Sequence, residues 1–344
     1  MIQAQSSPVL DRDESIPTYA QLADRPGYPS GSSWGVFGDS DEHGTLNFLT
    51  ADSAAAAAAG VSRGAVFNLD YPLDAFPDGP VRGRRTAPAH TVYDFGRLPD
   101  GTHGEMPGPS GVLDDYLDGF YPQSSSHIDA LRHVSHPDHG LYGGTTREQL
   151  LAGSPRLGVG HWAERGIVGR GVLIDVAGFR AAQGSPIDHL AAEQLGPELL
   201  DETLAAQGVE LRRGDMILLN TDCARHMRTY AEDDELAFRN AGIAVTRAML
   251  AWLWDHQISL IAADNIAVEP TAQWEGHSDF GTGRSGRLHP QLIALLGFVV
   301  GELWKLDDLV ADSAASGVYD CLLVVKPLNL PGGVGSPANA TAIR

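Results

Sequence analysis

The chain has 344 residues, 43% of them apolar and 20% charged, which is enough to bury a large core and far from the composition of a disordered segment. Its 44 acidic against 24 basic side chains leave a formal charge of −20, with no window of concentrated Lys and Arg, so nucleic acid is excluded as an expected partner. The longest apolar run, Leu292 to Val300, falls short of the roughly 20 residues a membrane helix needs, Met1 to Ala20 lacks a signal-peptide pattern, and Cys223 and Cys321 make no framework of bridges; the expectation is a cytoplasmic, reduced protein.

In chain order, residues 1–32 are rich in Ser, Pro and Asp and read as an arm on the body or on a neighbouring subunit. Thr50 or Asp52 caps a short Ala-rich helix over Ala54 to Ala59, with Gly60 ending it in a left-handed turn. Val66 to Leu73 alternates as a strand, with Phe67, Leu69 and Tyr71 on one face. Gly and Pro crowd Asp78 to Pro109, so this stretch reads as a long loop suited to a lid or binding surface, with His90 and His103 inside it. Thr146 to Ala152 predicts a helix and Ile167 to Val176 a strand. Ala191 to Gln207 carries Leu195, Leu199, Leu200 and Leu204 at helical spacing.

Arg213-Gly214-Asp215 introduces the apolar strand Met216 to Asn220. Ala241 to His256 reads as a helix, with His256 placed to complement its dipole, and Ile258 to Ala262 as the next strand. Strands alternating with helices signal a mixed α/β domain, here one domain over 33–327. The loop Glu269 to Arg287 holds Trp274 and His277. His289 precedes Pro290, a residue suited to the first turn of a helix that runs to Leu296. Phe298 to Leu303 is a strand in which Glu302 sits between apolar neighbours, so its carboxylate needs a cation or a donor. Asp320 to Val325 is the last expected strand, and 328–344 reads as a tail without helix or strand pattern.

One stretch carries chemistry. In Gln123-Ser-Ser-Ser-His127-Ile-Asp129-Ala-Leu-Arg-His133, the side chains of a continuous strand alternate. His127, Asp129 and His133, with Gln123 on the run in, would share one face opposite Ile128 and Ala130. Imidazole and carboxylate are the usual ligands of Zn or Mn, and a further imidazole beside a coordinated water is a natural general base. A His-rich surface strand would show the same spacing, since His136 and His139 follow closely.

The stretch resembles the H-x-G-T-H-x-D-x-P-x-H signature of the cyclase family, the kynurenine formamidase-like metal-dependent hydrolases that include isatin hydrolase. His127, Asp129 and His133 match it. Gln123 stands in place of the first His, Ser125-Ser126 in place of Gly-Thr, and Leu131 in place of Pro. Ser33-Trp34-Gly35 with Asp41-Glu42-His43-Gly44-Thr45-Leu46-Asn47 is similar to the opening of the longer bacterial members, and Arg213-Gly214-Asp215 to their middle. His289 and Glu302 sit where the family places its late His and Glu.

The resemblance implies an α/β fold with a mixed barrel-like sheet flanked by helices, of the family's swivelling β/β/α type, in a homodimer or homotetramer. It implies one or two divalent ions, Mn or Zn, held by His127, Asp129 and Glu302, with His289 at the same or a second ion and Gln123 as a candidate contact to metal or water. His133 would be the catalytic base and then acid, and Trp34, His90 and His277 are assigned to substrate binding. The expected reaction is hydrolysis of an amide, cyclic imide or lactone. The same metal and base would serve a biosynthetic cyclase or dehydratase that enolises a carbonyl compound, and a non-catalytic ligand-binding relative would keep the pocket without turnover.

Overall fold

Strands with unbroken apolar runs occupy the middle of a nine-stranded sheet. Met216–Asn220 and Leu260–Ala263 are buried along their whole length, as strands covered on both faces are. The computed structural model describes residues 11–80, 84–102, 111–271, 278–281 and 286–344. The sheet order in it is Val66–Asn68, Ala340–Ile343, Asp320–Val325, Ile167–Asp175, Met216–Asn220, Leu260–Ala263, Val299–Glu302, His127–Asp129 and Gly335–Pro337. The four strands from Ile167–Asp175 to Val299–Glu302 are parallel, and those flanking them pair antiparallel. The fold is mixed α/β, a curled half-barrel sheet flanked by helices.

Local chemistry sets most element ends. Thr50 accepts from Ser53 N in a capping box that starts helix Ala51–Ala59, and Gly60 closes it at φ −76°, right-handed rather than in the left-handed turn expected. The helices expected at Ala191 and Ala241 start later. Gln194–Leu195 and Gly242–Ile243 pair as a short parallel ladder, which takes Leu195 and Ile243 out of the helices that follow, Pro197–Gln207 and Arg247–Asp255. His256 follows the second helix, and its Nδ1 lies 2.7 Å from Trp252 O.

Three expectations are corrected by tertiary pairing. The tail supplies two strands of the central sheet: Gly335–Pro337 pairs with His127–Asp129 and Ala340–Ile343 with Asp320–Val325. The long loop contains Ala89–Asp94, which pairs with Leu113–Asp118 as a separate two-stranded ribbon; every residue of Leu113–Asp118 is exposed. The strand expected over Val66 to Leu73 keeps its ladder for Val66–Asn68 alone. In the arm, helix Tyr19–Ala23 is docked on the body, with Trp254 Nε1 donating to Pro17 O and Tyr19 N to Asp255 Oδ1, each at 2.8 Å. Cys223 and Cys321 are free and buried.

The Asp41–Asn47 segment packs on the turn that joins helix Pro290–Leu295 to strand Val299–Glu302. Thr45 N donates to Gly297 O at 2.8 Å, and Tyr142 OH to Asp41 Oδ2 at 2.9 Å. Gly44 has φ +56°, and a Cβ there would stand 2.0 Å from Gly297 O, so only glycine permits the approach. This motif holds the spacing between His289 and Glu302 from outside the site.

Candidate metal centre

Register places the ligands. His127 and Asp129 are two residues apart on one strand and so face the same side, and antiparallel pairing sets Glu302 directly opposite His127. Among the described residues, His127, Asp129 and Glu302 form a group whose donor atoms all lie within 4.8 Å of one another. All three residues are buried. Gly301 between Val300 and Glu302 is required by packing, since a Cβ would meet Trp304 Nε1 and Ala262 Cβ at 2.7 Å. Leu303, next to Glu302, is held at φ +56°, with its N–H bonded to Asn265 O and its carbonyl accepting from Ser126 Oγ.

The donor set fits a divalent ion. His127 Nδ1 lies 2.7 Å from Ser125 O, which fixes the ring hydrogen on Nδ1 and leaves Nε2 a lone pair. That lone pair faces Glu302 Oε2 at 3.2 Å and Asp129 Oδ1 at 3.8 Å. The 3.2 Å separation lacks hydrogen-bond geometry, and His127 Nε2 and Asp129 Oδ2 are buried without a hydrogen-bond partner. Three acceptors converging out of water are strongly unfavourable unless a cation lies between them. Burial alone would lower the His127 pKa; Glu302 and Asp129 reverse that and raise it. Burial likewise works to raise the Glu302 carboxyl, but His127 and His289 hold it well below the usual carboxylate range.

His289 stands beside this group. Its Nε2 is 2.9 Å from Glu302 Oε1 and its Nδ1 is 2.9 Å from Glu269 Oε1. The other Glu269 oxygen accepts from Leu288 N. Sandwiched between two carboxylates, His289 has a pKa raised well above the ordinary imidazole value despite burial. Glu269 went unnoticed in the sequence because it lies on an irregular segment twenty residues from its partner, with no spacing to mark it.

His133 reaches the group by a route other than the one expected. The strand ends at Asp129, the chain turns, and His133 N bonds back to Ala130 O at 2.9 Å. Its Nε2 then lies 3.6 Å from Asp129 Oδ2 and its Nδ1 3.3 Å from Gln123 Nε2. The His133 side chain is 20% exposed and that of His289 13%, against 1% for His127 and Asp129, so access is from the side of these two rings. Burial lowers the His133 pKa, with Asp129 opposing and Arg85 and His289 assisting, so the ring is neutral at pH 7. Gln123 turns its amide nitrogen to Asp129 Oδ1; a nitrogen that carries hydrogens is a donor and not a ligand.

Of the residues assigned to substrate, Trp34 and His90 are among the described residues and His277 is not. Trp34 Nε1 donates to Ala294 O at 2.7 Å, and the ring lines a 250 Å³ cavity with Tyr28, Asp41 and Tyr142. His90 sits on the exposed ribbon, 2.7 Å from Asp115 Oδ2. His277, Trp274 and His103 lie outside the described residues. His136 and His139 stack on each other with centroids 4.7 Å apart.

A buried His–Asp–Glu group on two neighbouring strands of a half-barrel α/β sheet defines the class of protein. The Cyclase family model matches residues 79–270, more than half of the chain, and the protein belongs to the cyclase family. It is similar to a solved structure described as a novel cyclase, with 28% identity, a TM-score of 0.75, and coverage of 91% of this chain and 99% of that one. Isatin hydrolase A from Labrenzia aggregata, bound to benzyl benzoate, shares the fold at 18% identity and TM-score 0.53, covering 87% of this chain and 98% of that one. An isatin hydrolase bound to the product analogue thioisatinate does so at 17% and 0.51, covering 86% and 99%. No curated protein matches the chain.

Proposed function

We propose that the protein is a metal-dependent hydrolase that opens the C–N or C–O bond of an amide, cyclic imide or lactone in a small carbonyl substrate. The observation that carries this reading is His127 Nε2, buried without a hydrogen-bond partner and facing the carboxylates of Glu302 and Asp129. His127, Asp129 and Glu302 would hold one Mn or Zn ion, with His289 beside them. Such an ion polarises a carbonyl and acidifies water. Gln123 is spent on Asp129 and His133, which favours a single ion.

The chain's own residues supply the rest. Ser125 O fixes the His127 tautomer, and Glu269 holds the His289 ring. Neutral His133, on the accessible side, takes the proton of the attacking water and returns it to the departing nitrogen or oxygen. Membership of the cyclase family and the names of the isatin hydrolases that share the fold agree with this reading.

The test is metal-free protein reloaded with Mn or with Zn and offered formanilides, cyclic imides and lactones. Turnover is expected after loading. His133→Ala should keep its metal and lose about 10²-fold or more in rate, whereas His127→Ala and Asp129→Ala should lose the metal by elemental analysis. Stoichiometric metal with no turnover on the whole panel would sink the hydrolase reading.

A further inference from the structure

The ladder between the two ligand strands ends at the pair that carries two of the ligands. Val300 lies opposite Asp129, Gly301 opposite Ile128 and Glu302 opposite His127, and the next pair in that register would be Leu303 with Ser126. The ladder stops there, because Leu303 is held at φ +56°, outside the extended region. The end of a short ladder is where strands part first. Here that end is the His127–Glu302 pair, and the 3.2 Å approach of Nε2 to Oε2 depends on its spacing.

Two side chains close the break. Ser126 Oγ donates to Leu303 O, crossing between the strands at the first position beyond the ladder, and accepts from Tyr71 N at 2.9 Å. From the other strand, Trp304 Nε1 donates to His127 O at 3.0 Å. The turned backbone is fastened as well, with Leu303 N donating to Asn265 O at 2.9 Å and Trp304 N to Ala263 O at 3.0 Å. Ser126, Leu303 and Trp304 are all buried, so water does not compete for these bonds. A leucine in the left-handed region is strained and persists only where its surroundings hold it. The Ser126 hydroxyl is one of those holds, placed one residue before His127 and opposite the residue after Glu302.

We propose that Ser126 is a positioning residue for the metal group: its hydroxyl holds the Leu303 carbonyl and thereby fixes the separation of His127 and Glu302. The inference rests on the reading of His127, Asp129 and Glu302 as ligands and not on the reaction they serve. Both bonds of the hydroxyl go to backbone, at Tyr71 and Leu303, so Ser126 acts through the ligand strands and not on the ion. Removing it leaves the buried Leu303 carbonyl without that donor and frees the Glu302 end of its strand to shift. Ligands displaced by a fraction of an ångström bind an ion less tightly and surround it differently.

The experiment loads the full chain with cobalt(II), whose visible absorption reports the arrangement of its ligands, and reads affinity by chelator competition. Ser126→Ala should keep the far-ultraviolet dichroism and cooperative melt of wild type, shift the cobalt bands and lose about 10-fold or more in affinity. Ser126→Thr, which retains a hydroxyl, should restore both. Ser313→Ala removes another buried hydroxyl, bonded to Leu309 O and Arg344 and to neither ligand strand, and should leave bands and affinity as in wild type. Wild-type bands and affinity in Ser126→Ala overturn the proposal. So do a Ser126→Thr variant as impaired as Ser126→Ala, a Ser313→Ala variant that shifts the bands equally, or a Ser126→Ala variant that no longer folds, since each reduces the hydroxyl to packing or stability. Failure of the ligand reading shows separately, as wild type that binds no cobalt. Failure of the hydrolase reading shows as metal-loaded protein without turnover whose variants still differ as expected.

Discussion

The His127 ring owes its role to one carbonyl. With Nδ1 committed to Ser125 O, the only nitrogen left for an ion is Nε2, and the strand pairing aims it at two carboxylates. Glu269 does the same for His289, so Glu269→Gln should weaken Mn or Zn binding by about 10- to 100-fold while the far-ultraviolet dichroism stays unchanged. Chelator competition measures it, and an unaltered affinity would reduce the Glu269 contact to a structural one. Gln123 works differently. Its amide is a donor to Asp129 and His133, so Gln123→Ala should change metal content little. Gln123→His places a nitrogen ligand next to the carboxylates and should tilt competitive loading toward Zn over Mn; an unchanged ratio would mean that position 123 does not face the ion.

At the scale of the element, the three-residue strand His127–Asp129 is stabilised from both sides. Val299–Glu302 pairs with one edge and Gly335–Pro337 with the other. A strand this short has little stability alone, so the C-terminal residues are part of the metal group's support. A chain ending at Pro327 would also lose Ala340–Ile343, the partner of both Asp320–Val325 and Val66–Asn68. That truncated chain should lose its cooperative thermal transition and bind no metal. A truncated protein that melts cooperatively near the wild-type temperature would show the tail to be an accessory.

For the whole molecule, the acidic balance and several buried carboxyls act in the same direction. Burial pushes the Asp215 carboxyl from 3.8 up to about 7, against the pull of Arg170 and the Arg212 N–H. An acid whose pKa is raised by folding favours the folded state fully below its unfolded pKa, and that contribution is lost as pH climbs from about 4 through 7. Asp215→Asn keeps an oxygen for the Arg212 N–H and removes the titration. Relative to this variant, wild-type protein treated with chelator should lose stability across that window, by about 1.4 kcal/mol per pH unit at most. Denaturant melts at pH 4.5, 5.5 and 6.5 measure it, and parallel pH profiles would place the ionised carboxylate of Asp215 in the fold at all three.

Periodicity and end signals in the sequence determined what depends on near neighbours. The apolar run Met216–Asn220 is a central strand because it has no polar face to expose, and Thr50, Thr146 and Thr246 cap helices by bonds to their own third neighbours. The two-residue alternation was enough to put His127 and Asp129 on one face, and the isolated charge of Glu302 among apolar residues was enough to mark it as buried. The tertiary structure decided everything that depends on distant partners. Gly335–Pro337 and Ala340–Ile343 carry too few residues to show a period and become strands only because sheet edges are present to receive them. His133 comes back to Asp129 through a turn that alternation could not foresee. Glu269 lies on an irregular segment, and the bonds it makes to Leu288 N and His289 join residues that no local pattern relates.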